Sequence, residues 1–259
     1  MAKIEIFSKG KNELNEDCYG YNKTSFVVVD GATDKSGRFY NKKTGGEIIS
    51  RLAVDVCLKS KLNGVKLVNQ LNREVDKLYK KLGVDDYLED PKIRFNCVFV
   101  LVRVANRKII ITYLGDLGFR VNGQVNYKEV FAIDGLTATA RAEYIFKTGD
   151  IDGSRKYILP KIITQINKYQ NNPKHKLGYG VVDGTKTPEK FIKVFELDKN
   201  DVKTIEIYTD GYFDVPKIVN ISAWEKMQKK IDEEDPYKYK KYKSTKNKDD
   251  RTVMIIKFK

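Results

Sequence analysis

The chain has 259 residues, 41% hydrophobic and 32% charged, with 49 Lys and Arg against 35 Asp and Glu, a formal net charge of +14. These values describe a soluble globular protein with enough length to bury a large core; no apolar run is long enough to span a membrane, and Met1 to Phe7 lacks a secretory apolar region. Cys18, Cys57 and Cys97 are too few and too scattered for a disulfide framework or a zinc site, which points to a reducing, intracellular setting.

Residues Ala2 to Phe7 alternate polar and apolar and predict an opening strand. A polar loop, Ser8 to Leu14, leads to Asn15-Glu16-Asp17. Ser25 to Val29 is a nearly continuous apolar run, the pattern of a strand buried on both faces, and it ends in Asp30-Gly31. A loop follows, and Gly45 opens a helix with Ile48, Ile49, Leu52, Ala53, Val56 and Cys57 on one side. Asn63-Gly64 separates it from a second helix carrying Leu67, Val68, Leu71, Val75, Leu78 and Leu82, and two such helices would cover one face of a sheet.

The middle of the chain predicts strands. Arg94 to Val104 and Lys108 to Leu114 flank a hairpin-like connection, and the second of them ends in Gly115-Asp116. Phe119 to Val121 and Val125 to Phe131 flank Asn122-Gly123-Gln124. Ala132 to Gly153 has no distinct pattern, and Ile158 to Tyr169 has helical spacing. Strands at Phe191 to Glu196 and Thr204 to Thr209 come next, then a helix from Ser222 to Ile231 whose Trp224 reads as core, and a last strand from Thr252 to Phe258. Helices grouped among strands in hairpin order predict an α+β fold with antiparallel sheets, in one domain over residues 1–259.

The most informative stretch is Ile207-Tyr-Thr-Asp-Gly-Tyr-Phe-Asp-Val215. If Gly211 breaks the strand and a helix starts near Tyr212, Asp210 and Asp214 are about one turn apart and can share a hard cation. Alone, Asp-Gly is a common turn dipeptide. The pattern recurs, however: Glu16 with Asp17, Asp30, Asp116, Asp210 with Asp214, and Asp249 with Asp250 all stand where strands begin or end. Carboxylates that converge repel one another and need bound cations, and an oxygen-only set without His or Cys suits Mg or Mn in phosphoryl hydrolysis.

In order, Asn-Glu-Asp, Val-Val-Asp-Gly, Gly-Glu-x-x-Ser-x-x-Ala, Gly-Asp, Thr-Asp-Gly-x-x-Asp-Val and Asp-Asp-x-Thr resemble the metal-dependent protein phosphatases of the 2C type, from residue 15 to 258. The resemblance implies a four-layer α-β-β-α sandwich, two central antiparallel sheets flanked by helix pairs, and a serine/threonine phosphoprotein phosphatase. It implies two or three Mn2+ or Mg2+ ions and direct attack by a metal-bridging hydroxide. Carried over by position, Asp30 bridges two ions, Asp210 and Asp249 complete one of them, and the Gly31 carbonyl serves the other. Glu16 and Asp17 hold metal-bound waters, and Asp116 and Asp214 join Asp210 at a third metal position. The implied partners are a phosphorylated protein substrate and an opposing Ser/Thr kinase in the cytoplasm, with no membrane and no nucleic acid.

The chain departs from that pattern in places. Where the family has an arginine that clamps the substrate phosphate stands Asn12, with Lys9 and Lys11 as substitutes; Ala32 follows Asp30-Gly31, and Leu117 follows Gly115-Asp116. His175 and Cys18 have no residues nearby in sequence that would make them catalytic. Residues 237–248 interleave lysines with three tyrosines, either as a solvated insertion or as an overhang of the metal site that attracts phosphorylated partners. Two further readings compete with the enzyme: a phosphatase-shaped binding module without turnover, and a basic nucleic-acid-binding protein.

Overall fold

Ten strands form two five-stranded antiparallel sheets in the computed structural model, which describes residues 2–258. The first sheet holds Lys3–Lys9 (β1), Arg251–Lys257 (β10), Thr204–Tyr208 (β9), Gly118–Val121 (β6) and Gln124–Lys128 (β7), in that spatial order. The second holds Cys18–Tyr21 (β2), Ser25–Ala32 (β3), Asn96–Ala105 (β4), Lys108–Leu114 (β5) and Lys193–Asp198 (β8). The strand at Cys18–Tyr21 was not predicted; it is four residues long and contains Gly20, too little for an alternating pattern to register.

The sheets pack face to face. Val28, Val100 and Val102 of the second sheet meet Ile205, Ile207, Met254 and Ile256 of the first, all without solvent contact. The other face of the second sheet, with Val27, Val29, Phe99 and Leu101, is covered by the helices Gly45–Lys59 (α1) and Gly64–Leu82 (α2). That explains the unbroken apolar run of β3: Val27, Val28 and Val29 are all buried because the strand is covered on both sides. Each such side chain contributes about 1.5–3 kcal/mol on full burial.

On the far face of the first sheet lies the helix Ile221–Glu234 (α5), whose Trp224 packs with Tyr208, Tyr212, Val253 and Ile255. Beneath it Arg120 and Glu206 form a buried ion pair, and Trp224 Nε1 donates to Glu206 Oε1 at 2.8 Å. The layers are thus helix, sheet, sheet, helix, as expected, and α5 supplies the contact with the first sheet. Two further helices, Ala132–Thr148 (α3) and Ser154–Tyr169 (α4), pack on each other. Among the described residues no helix is long and apolar enough to cross a membrane.

Candidate metal centre

Antiparallel pairing brings the acidic strand ends to one edge of the sandwich. In the first sheet β9 ends just before Asp210, and β10 begins just after Asp249-Asp250. Because β9 and β10 pair antiparallel, with Tyr208 opposite Val253, the end of one adjoins the start of the other. In the second sheet Asp30 lies on β3 opposite Val98, and Asp116 follows β5 beyond Leu114, which pairs with Phe99. Asp30, Asp116, Asp210 and Asp249 line one cavity of about 410 Å³, and Asp30 also lines a second of about 670 Å³.

The charges in this centre oppose one another. Burial raises the Asp30 carboxyl well above the usual carboxylate range, and Asp17, Asp210 and Asp116 raise it further. Asp116 is raised by burial and by Asp210 and Asp134. Asp17 is also raised by burial, although Thr209 donates to its Oδ2 at 2.9 Å, and its Oδ1 has no partner among the described residues. An orphaned buried carboxylate oxygen beside mutually repelling carboxylates is an arrangement that added positive charge would relieve. Gly31 sits where a side chain could not: an added Cβ would meet the Gly46 carbonyl oxygen and come within 2.7 Å of the Glu16 carbonyl oxygen.

Lysines already stand in this centre. Lys246 Nζ donates to Asp249 Oδ1 at 2.7 Å. Burial pulls its pKa down, but Asp249, Asp210 and Asp30 together hold it above the ordinary lysine value. Lys11 Nζ bridges Glu16 Oε2 at 2.9 Å and Asp250 Oδ2 at 3.2 Å. Lys128 faces Asp210, Asp116 and Asp214 from the cavity wall, with burial lowering its pKa. Consistent with these built-in countercharges, among the described residues no three His, Cys, Asp or Glu side chains converge closely enough to hold one ion. The donors fit Mg or Mn in kind, all oxygen and in excess of their countercharges.

The basic segment after α5 is a folded strap over this centre. Asp235, with no solvent contact, accepts from the backbone N–H groups of Tyr239, Lys240, Lys241 and Tyr242. Arg141 of α3 donates to the carbonyls of Tyr237, Lys238 and Ser244 and to Asn247 Oδ1. Lys243 to Lys246 consequently line the cavity. The backbone of the segment is tied down beside the cavity, while Tyr237, Lys240, Lys241, Lys243 and Lys248 remain exposed.

The structure distributes the predicted residues unevenly. Asp30, Asp116, Asp210 and Asp249 come together, and Glu16 and Gly31 line the adjoining cavity. Glu16 is fully engaged: Thr33 and Thr44 donate to Oε1, the latter at 2.9 Å, and Lys11 takes Oε2. Asp214 is exposed and lines neither cavity, because no helix starts near Tyr212. Residues 211–220 run as turns and bends, and the closing proline ring of Pro216 leaves the chain no helical route past Asp214. Lys9 is exposed at the end of β1 and lines neither cavity, while Lys11 is committed to two carboxylates.

Asp134 escaped prediction. It lies in the first turn of α3 and lines the cavity with Asp116 and Asp210; although the residue is exposed to solvent, the crowding of its carboxyl by the cavity wall and the Asp210 charge push it up to about 6. The signal that could have found it is an acid three residues after an aromatic at a helix start, Phe131-Ala-Ile-Asp134, but the helix itself was not legible. His175 lines neither cavity; it packs on the Tyr169 ring, with centroids 4.5 Å apart.

No protein-family model matches the chain, and no curated protein matches it in sequence. Solved structures do. The serine/threonine phosphatase PstP of Mycobacterium tuberculosis superposes with a TM-score of 0.55 at 10% identity, over 100% of this chain and 99% of that one. Stp1 of Staphylococcus aureus, also a serine/threonine phosphatase, gives 0.54 at 15% identity over 100% and 96%. The PstP catalytic domain in complex with two manganese ions gives 0.55 at 11% identity over 99% and 97%. The chain has, over its whole length, the α+β fold of the bacterial serine/threonine phosphatases of the 2C type.

Proposed function

We propose that the chain is a single-domain, metal-dependent serine/threonine phosphoprotein phosphatase. The observation that carries this reading is the convergence of Asp30, Asp116, Asp210 and Asp249 from both sheets into one cavity, in the fold of phosphatases that include a manganese-bound one. Divalent ions bound there, two or three Mn2+ or Mg2+, would neutralise the carboxylates, polarise the phosphoryl oxygens and lower the pKa of water. The chain's own residues do the rest. Asp30 and Asp210 present oxygens from opposite sheets, and Thr209 orients Asp17 through its hydroxyl. Thr44, which also caps α1 by accepting from the Glu47 N–H at 3.2 Å, fixes Glu16. Asp134 joins Asp116 and Asp210 where Asp214 was expected. The substrate would be a phosphoserine or phosphothreonine protein in the cytoplasm, phosphorylated by an opposing kinase.

One observation favours the alternative of a phosphatase-shaped binding module: the Lys246 ammonium already neutralises Asp249. The nucleic-acid reading rests on the net charge of +14, and two of the three strap tyrosines are already packed on other rings. Tyr239 packs edge-on to Phe146 and Tyr242 to Phe213, which leaves Tyr237 as the one strap tyrosine with an exposed ring among the described residues. Hydrolysis of p-nitrophenyl phosphate and of a phosphothreonine peptide, with Mn2+, with Mg2+ and with EDTA, separates the readings. Metal-dependent turnover supports the phosphatase; metal binding without turnover supports the module.

A further inference from the structure

Among the described residues, four cations of the first cavity, Lys35, Lys128, Lys243 and Arg155, have no carboxylate within ion-pair distance, and of these Lys35 and Arg155 line both cavities. The two cavities meet at Asp30, and Lys35, Arg155 and Lys246 line both. Lys246 is paired with Asp249, as Lys11 is with Glu16 and Asp250. Among the described residues, Lys35 and Arg155 form no ion pair within 4 Å. Arg155 makes one hydrogen bond, from Nη1 to the Thr245 carbonyl oxygen at 3.0 Å, and Lys35 makes one, from Nζ to the Thr33 carbonyl oxygen at 2.6 Å. An arginine has five donors and a lysine three, so most of theirs have no partner among the described residues.

Both groups also bear a cost for standing where they do. Burial pushes Lys35 down to about 8, and the neighbouring charges of Arg155 and Lys246 add to the effect. Burial likewise lowers Arg155. Like charges that crowd one wall, with donors unused, fit an anion; a planar guanidinium beside an ammonium suits a phosphate dianion in particular. Asn12, at the position of the expected clamp, lines the second cavity and cannot supply charge.

We propose that Arg155 and Lys35 grip the phosphate of the substrate at the junction of the two cavities, Arg155 through its free guanidinium edge and Lys35 as a point charge. This rests on the phosphatase reading for the substrate, but the anion site is testable without turnover. The competing role is pure countercharge to the acidic centre, in which case the two residues influence metal binding and leave phosphate binding alone.

The test titrates inorganic phosphate into the Mg2+-loaded protein by calorimetry, for wild type, Arg155→Met, Arg155→Lys and Lys35→Met, with Mn2+ affinity measured separately. Circular dichroism checks the folding of each variant. The expected result is phosphate binding weakened by about 10-fold or more in Arg155→Met and Lys35→Met, with partial retention in Arg155→Lys and Mn2+ binding no weaker than wild type. In parallel, KM for a phosphothreonine peptide rises more than kcat falls. Phosphate affinity unchanged in all folded variants overturns the proposal, even if the wild type hydrolyses the peptide. Arg155-dependent phosphate binding by a protein that hydrolyses nothing supports the anion site and overturns the phosphatase reading alone.

Discussion

Lys246 Nζ lies 2.7 Å from Asp249 Oδ1, so a lysine from the basic strap neutralises a carboxylate expected to hold a metal ion. Ammonium and divalent ion compete for the same oxygen. Lys246→Met should tighten Mn2+ binding by roughly 5- to 10-fold, the worth of about 1 kcal/mol of ion pairing near a protein surface. Isothermal titration of Mn2+ into wild type and variant reads this directly. Equal affinities would show that the lysine does not oppose the metal.

Asp134, which has no role in the sequence expectation, lines the acidic cavity, and Asp214, expected there, does not. Asp134→Asn should weaken metal binding or activity by roughly 10-fold, because its carboxylate lies beside Asp116 and Asp210. Asp214→Asn should stay within about two-fold of wild type, since Asp214, unlike Asp134, lines neither cavity. Metal titrations of the two variants decide it, and a large effect at Asp214 alone would restore the sequence expectation.

The metal-free protein should lose stability as pH rises. Asp17, Asp30, Asp116 and Asp249 have pKa values raised above their unfolded values, so the folded state holds protons that the unfolded chain has released. By linkage, the stability these four groups contribute is greatest below about pH 4 and is lost as pH rises through the raised values. Lys246 stays protonated throughout and adds no slope in this range. Thermal melts in EDTA should show a lower midpoint at about pH 7.5 than at about pH 5. Added Mn2+ should stabilise more at the higher pH, by about 2.7 kcal/mol at a hundred times its dissociation constant.

The acidic centre was legible because each acid stands at the end of an apolar run, and antiparallel pairing brings such ends together. Asp30 and Asp210 needed only that logic. The strand Ser25–Ala32 and the pair α1 and α2 were legible for a related reason, since their periodicity is set by what they bury. The helix Ala132–Thr148 was not, because its Ala, Thr and Gly135 make a weak apolar stripe, and Asp134 was lost with it. Lysine pairing was also illegible. Whether Lys11 faces a phosphate or two carboxylates depends on Asp250, 239 positions away.

Stability, as distinct from activity, rests on the far side of the first sheet. Glu206 accepts from Arg120 and Trp224 with no solvent contact, and Arg120 also donates to the Pro216 carbonyl at 2.6 Å. Glu206→Gln leaves Arg120 buried without its countercharge and should cost about 3–5 kcal/mol. Urea unfolding measures this, and the loss should appear equally with and without Mn2+. A change below about 1 kcal/mol would mean that water compensates the guanidinium.

The most direct test of the phosphatase account is phosphate release from a phosphothreonine peptide by wild type and Asp30→Asn, across a Mn2+ titration that starts from an EDTA baseline. The account predicts no release in EDTA, release that saturates with Mn2+ in the wild type, and a loss of roughly 1,000-fold in the folded Asp30→Asn variant. Release that persists in EDTA, or that survives Asp30→Asn unchanged, would contradict it.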